Sequence, residues 1–176
     1  MMKRFSRKTI VGLTLVAGLL LFTAGSYFQP WKLFTNTRVE EELPRQSEAI
    51  EKTEESSEFP LVLAQGSFIS HEHSTTGSLK ILEYVDGTRI LRIEDLETSN
   101  GPKLEVWLTD APVIEGLDGW SVFDDGKYIN LGALKGNIGD QNYSIPSSVN
   151  LDEFTSISIW CERFSVSFGA AALSIP

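Results

Sequence analysis

A single cysteine, Cys161, stands in a chain of 176 residues. With no second thiol there is no internal disulfide, so any folded part must be held by its own apolar core. Histidine is almost as scarce, and imidazole chemistry has only His71 and His73 to draw on. Positive charge is in short supply too: 15 Lys and Arg face 24 Asp and Glu, a formal charge of −9. Four of those bases, Lys3, Arg4, Arg7 and Lys8, precede the one long apolar run, which leaves the remainder more acidic still. Phosphate binding needs a basic surface, so this balance argues against nucleic acid as a partner. Catalytic signatures are missing as well. No GxSxG, HExxH, CxxC or Walker loop occurs, and a hydrolase has nothing to rest on.

What is present begins with the apolar run. Residues 9–29 carry no charged side chain and are rich in Leu, Val, Gly and Phe. About 20 such residues, rising about 1.5 Å each, cross a bilayer core of about 30 Å. Basic residues before the run and acidic ones after it predict a cytoplasmic N-terminus, residues 1–8, and a single-pass anchor in the cell membrane. Pro30, Trp31 and Lys32 follow as an interfacial stop, with the indole at headgroup depth. A cleaved signal peptide is the rival reading, because Ala24, Gly25 and Ser26 offer small residues after the run. The length of the run, beyond the about 7–15 residues of a signal-peptide core, favours the uncleaved anchor. Under both readings the rest of the chain is exported.

Residues 30–58 read as an acidic flexible linker. From residue 35 to 58 there are eight Glu, three bases and few large apolar groups, too little to offset the entropy of ordering. A short charged helix fits around residues 48–55. From Phe59 the pattern changes to period two. LKILEYV (79–85) and TRILRIEDL (88–96) flank Asp86-Gly87, a dipeptide favoured in tight hairpin turns. KLEVWLTD (103–110) alternates, with Leu104, Val106 and Leu108 on one face and Trp107 on the other. YINLGAL (128–134) and NYSI (142–145) are shorter strands. Asn150 caps a helical turn over 150–154. Short strands with Gly, Pro, Asn and Asp between them predict an all-β domain over 59–176, an antiparallel β-sandwich or open barrel. A long loop over 111–127 carries Trp120, and long loops often carry function.

The stretch TSISIWCERFSVSFGAAAL (155–173) holds the cysteine. Ile157, Ile159 and Cys161 share one parity, whereas Phe164, Val166 and Phe168 share the other. A strand cannot change faces without an irregularity, so Cys161-Glu162-Arg163 should hold a β-bulge or a tight turn. Three readings of Cys161 stay open: packing as a small hydrophobe, a reactive thiol, or a metal ligand. His71 and His73 sit at i and i+2, which on a regular strand turns both imidazoles to one face. With Cys161 nearby they would form a His₂Cys set suited to copper or zinc. Arg163 is the cation nearest in sequence that could favour a thiolate.

Several separated segments occur together in order: His73 four residues before Gly77, GP-x-L-x-V-x-L from Gly101, LG-x-LKG from Leu131, QNYSIP from Gln141, and IWC-x-x-F-x-V-x-FG from Ile159. In this order they resemble the DM13 (DM-thirteen) domain, a family described as electron-transferring, over about residues 64–173. The resemblance implies an all-β extracellular domain whose characteristic cysteine falls on Cys161 and whose aromatic neighbour falls on Trp160. The family histidine falls on His73, the GP pair on Gly101-Pro102 and the LKG turn on Leu134-Lys135-Gly136; His71 matches only a bacterial variety of the motif. It implies a membrane-anchored electron-transfer or redox/metal-binding module centred on Cys161; Trp160 and the sequence neighbour Arg163 are the candidate cofactor contacts, and the cofactor is open, with copper and haem as candidates. DOMON and cytochrome segments, common neighbours in the family, are not seen in this sequence, and neither is a second cysteine. Electrons would have to pass to a redox partner protein. The alternative is a non-catalytic cell-surface binding module for glycan or protein, with Trp107, Trp120 and Trp160 as aromatic platforms. On the redox reading Cys161 should line a pocket as a low-pKa thiolate, with His73 as its polar neighbour.

Overall fold

The computed structural model describes residues 6–44 and 60–176. The apolar run forms one helix, α1 (Arg7–Phe28), none of whose residues is buried against the rest of the chain. Ser6 starts it by accepting a hydrogen bond from the Thr9 amide through its hydroxyl. Gln29 ends it in the left-handed conformation, its amide bonded to the Gly25 carbonyl, and Pro30 cannot continue the ladder. Its 22 residues make it long and apolar enough to cross a membrane. A short 3₁₀ turn, Pro30–Phe34, follows.

Among the remaining described residues there are ten strands: β1 (Arg38–Glu40), β2 (Leu61–Ser67), β3 (Ile69–Ser70), β4 (Thr76–Glu83), β5 (Arg89–Glu97), β6 (Leu104–Thr109), β7 (Tyr128–Ala133), β8 (Ile138–Ile145), β9 (Ser156–Cys161) and β10 (Val166–Ala172). They form two five-stranded sheets, ordered β1-β8-β5-β4-β2 and β3-β10-β9-β6-β7. Every pairing between strands is antiparallel except that of β1 with β8. The sheets face each other across a core of Leu79, Ile81, Leu91 and Ile93 from the first and Val106, Leu108, Ile157 and Ile159 from the second. Each of these side chains is essentially sealed from solvent, a contribution of about 1.5–3 kcal/mol apiece. The expected all-β sandwich is what the chain forms.

Local expectations translate directly where the chemistry is local. The β4–β5 hairpin closes over Val85-Asp86-Gly87, with Gly87 at φ 80° and the Asp86 carboxylate accepting the Thr88 amide. Asn150 caps the 3₁₀ turn Leu151–Glu153 by accepting from the Asp152 amide. The face switch after Cys161 is a chain reversal: β9 ends at Cys161, four turn residues follow, and β10 returns with Val166 opposite Cys161. Ser165 takes the left-handed position in that turn, at φ 49°. The tight-turn alternative is the one realised.

The linker needs correction at its first part. Arg38–Glu40, inside the stretch expected to be flexible, is an edge strand in parallel register with Ile138, Gly139 and Asp140. Side chains fasten it on both sides. The Thr37 amide donates to Asn137 Oδ1 at 2.7 Å, and Arg92 donates to the Glu41 carbonyl at 2.5 Å. The Glu41 carboxylate accepts from Lys135 Nζ and from the Asn142 amide, each at 2.8 Å. Burial opposes its charge, but Lys135, the Asn142 amide and Arg92 together hold its carboxyl below the ordinary value. Gly139, at φ 100°, lets the strap lie this close, since a Cβ there would meet the Val39 carbonyl oxygen at 2.1 Å. The partners lie about a hundred residues away in sequence, so composition alone could not reveal them. Residues 45–59, which include the expected charged helix, lie outside the described residues.

Arg92 is 7% exposed and holds both the strap and Asp140. A chain lacking residues 36–44 should therefore be less stable by about 2 kcal/mol or more, the scale of hydrogen bonds to a buried charged group. Urea unfolding of the two chains checks this; equal midpoints would make the strap an ornament.

Candidate functional site

The outer face of the second sheet is not a solvent face. Trp107, Trp160, Ser156, Ser158 and Ser167 point away from the inter-sheet core, yet all are buried. The long loop over 111–127 covers them, with Phe123 fully enclosed and packed in a second apolar cluster with Trp107 and Trp160. Hydroxyls tie the loop down. Ser156 donates to the Ala111 carbonyl at 2.7 Å. His71 does the same further along: its Nε2 lies 3.1 Å from the Ile114 carbonyl and its Nδ1 2.9 Å from Ser167 Oγ. A carbonyl can only accept, so Nε2 carries the proton and Nδ1 accepts from the Ser167 hydroxyl. Ser158 in turn donates to Ser167 at 3.0 Å. This chain leaves neither ring nitrogen of His71 for a ligand. Burial pushes its pKa below the ordinary 6.5.

His73 goes elsewhere. Strand β3 ends at Ser70, and residues 71–73 follow as bends, so the strand alternation that would align the two imidazoles does not apply. The His73 ring packs on Phe168 with centroids 4.0 Å apart, and its Nε2 lies 2.5 Å from the Glu72 carboxylate. Together with Glu72, Phe164 and Phe168 it lines a cavity of about 300 Å³ whose other wall is Phe28 and Leu33, at the end of α1. Phe28 stacks on Phe164 at 5.8 Å, and the Arg163 guanidinium lies over the Tyr27 ring at 4.6 Å. The larger cavity, about 730 Å³, opens among Leu63, Arg89, Val149 and Phe154 and contains neither histidine nor cysteine.

Cys161 is not a pocket residue. Its side chain is 0% exposed and belongs to the inter-sheet core with Ile157, Ile159, Leu104 and Phe168. Burial pushes the thiol pKa above its ordinary value; the backbone amides of Phe164, Arg163 and Lys103 oppose the rise and Glu72 adds to it. The expected low-pKa thiolate is thus replaced by a neutral, enclosed thiol, because the residue ends a strand whose inward face is all core. The expected ligand set also comes apart. His71 is held under the loop, His73 lines the cavity at the end of α1, and Cys161 lies in the core. Among the described residues no three His, Cys, Asp or Glu side chains come together around a common point. The expected copper-binding set of His71, His73 and Cys161 is therefore not assembled. Trp160 and Arg163 do not share a site: Trp160 is buried on the loop-covered face, and Arg163 reaches Tyr27. Of the three expected tryptophan platforms, Trp107 and Trp160 are buried and Trp120 is half-buried.

The Ser158–Ser167–His71 chain escapes sequence reading because small hydroxyl residues alternating with Ile and Trp look like a solvated face. One signal was available: that face of TSISIW carries no charge, unusual for a face left in water.

Two outcomes follow from these geometries. His71 stays neutral in the folded chain and takes up a proton more readily when unfolded, so its contribution is complete above about pH 6.5 and declines as pH falls toward its depressed folded pKa. Urea midpoints measured from pH 8 to pH 5 should fall more steeply for the native chain than for His71→Asn; parallel curves would exclude His71 as the cause. Cys161 should resist alkylation until the chain is denatured, and Cys161→Ser should cost about 1–3 kcal/mol for a poorly paired buried hydroxyl. Rapid labelling of the native protein at neutral pH would contradict the burial.

No curated protein and no solved structure matches the chain. A family model described as Electron transfer DM13 matches residues 67–173, the span from the end of β2 to just past β10 that holds both histidines, the cysteine and the loop-covered face. That span is more than half of the chain, and the chain belongs to the DM13 family.

Proposed function

We propose that this chain is a membrane-anchored electron-transfer module working on the exported side of the membrane, at the mouth of the cavity beside α1. The contact between the helix end and the domain carries the reading: Phe28 on Phe164 and Tyr27 under Arg163 bring His73 and Glu72 next to an apolar helix long enough to span a bilayer. A site so disposed suits a small membrane-soluble carrier of the hydroquinone class. Such a carrier gives up two protons with its two electrons on becoming a quinone. An imidazole held by a carboxylate can take one of those protons and hand it to water, the second leaves directly to water, and Phe164, Phe168 and Phe28 supply apolar walls for the ring. The electrons pass to an exported acceptor supplied by a partner protein. Cys161 is then a core residue and not the reacting group. The competing reading, a surface module for glycan or protein, loses most of its support with the burial of Trp107 and Trp160.

The test uses the full chain in liposomes that contain a hydroquinone, with ferricyanide outside as one-electron acceptor. Ferricyanide reduction should rise with the amount of protein, and His73→Gln should lower the added rate by about 10²-fold where proton transfer limits it. Addition of the chain without α1 should give no increase. A rate independent of protein, or one unchanged by His73→Gln, would remove this function.

A further inference from the structure

Three aromatic rings cross the loop-covered face of the second sheet from solvent to interior. Tyr128 on β7, Trp107 on β6 and Trp160 on β9 lie on adjacent strands. Asn130 is directly opposite Trp107 on one side and Ser158 on the other, so Tyr128 and Trp160 are its diagonal neighbours, two positions along. Diagonal pairs are within reach for aromatic side chains. The Tyr128 and Trp107 rings are parallel to within 4°, with centroids 3.9 Å apart, and Trp107 and Trp160 follow at 5.1 Å and 27°. Exposure falls along the row from 46% at Tyr128 to 4% at Trp107 and 1% at Trp160. The next ring, Phe123, is 6.3 Å beyond. A phenyl group is far harder to oxidise than a phenol or an indole, so the oxidisable row stops at Trp160.

A second observation sets Trp107 apart. Its indole Nε1 is buried without a hydrogen-bond partner. An orphaned buried donor costs about 1–3 kcal/mol, and a phenylalanine would fill much of the same space without that cost. An indole with no proton acceptor keeps its N–H proton when it is oxidised, and as a radical cation it can pass the vacancy on.

We propose that Tyr128, Trp107 and Trp160 form a conduit for single electrons between the interior of the domain and its surface. The inference rests on the electron-transfer reading above, but involves neither the membrane carrier nor His73. A one-electron oxidant of high potential docks at Tyr128 and removes one electron from its ring. An electron from Trp107, stacked at 3.9 Å, refills the phenol while it still holds its proton, leaving the Trp107 radical cation. An electron from Trp160 then restores Trp107. The net change is one electron moved from Trp160 to the oxidant, with Trp160 left as its radical cation and no net proton released.

The experiment uses the full chain in detergent with Trp31→Phe and Trp120→Phe, so that Trp107 and Trp160 are the only indoles. A photogenerated ruthenium(III) polypyridyl complex serves as the oxidant, and transient absorption separates tyrosyl from tryptophanyl radicals. A tryptophan radical-cation signal that appears as the oxidant is consumed, ahead of any tyrosyl radical, is expected. Tyr128→Phe keeps the stacked ring but should abolish most of the tryptophanyl yield. Trp107→Phe should remove the signal while Tyr128 still oxidises, with circular dichroism reporting the fold. An undiminished tryptophanyl yield in Tyr128→Phe, or no tryptophanyl radical in the parent chain, would overturn the conduit. Neither result bears on the liposome assay, so the two readings can fail separately.

Discussion

Burial of the central strand pair β6–β9 on both faces is the constraint from which most of this structure follows. All six residues of each strand are buried. Inward, Leu104, Val106 and Leu108 meet Ile157, Ile159 and the opposing sheet. Outward, the loop over 111–127 closes on Trp107 and Trp160. Polar side chains on that outer face lose water and must find partners within the protein. Ser156, Ser158, Ser167 and His71 do so with one another and with the loop carbonyls. Trp107 Nε1 is the exception, and it lies in the middle of the aromatic row.

The same constraint explains why the cysteine is inert toward solvent and the histidines diverge. Cys161 continues the inward register of Ile157 and Ile159, so it is sealed with them. His71 still follows β10, its amide bonded to the Phe168 carbonyl, and is drawn under the loop. Two residues later the chain has left the sheet, and His73 is free to face the helix end. His73 and Glu72 thus come together beside the end of α1.

Period-two alternation and turn residues made β4, β5, β6 and β9, the Asp86-Gly87 hairpin and the all-β class readable from sequence, because each depends on neighbours only a few residues apart. The reversal after Cys161 was legible as a change of parity. β1 was hidden among glutamates, since its stability comes from Asn137, Lys135 and Arg92, remote in the chain. The site was less legible than the fold. An i, i+2 histidine pair predicts a shared face only while the strand continues, and β3 ends before it. The serines of β9 and β10 read as solvated because nothing in their own segments announces a loop that returns to cover them.

β1 and β2 occupy opposite edges of the same sheet, and the chain between residues 44 and 60 joins them. Nine residues join α1 to strand β1, so β1 works as a non-covalent clamp between the helix and the sandwich. A protease cut anywhere between those two edges would leave the clamp paired with β8. The nicked domain would remain joined to α1, held by backbone pairing and by Arg92 and Lys135. Release would then require the edge strand to peel away, a step governed by local unfolding and not by cleavage. For this chain, cutting and separation from α1 are separate events.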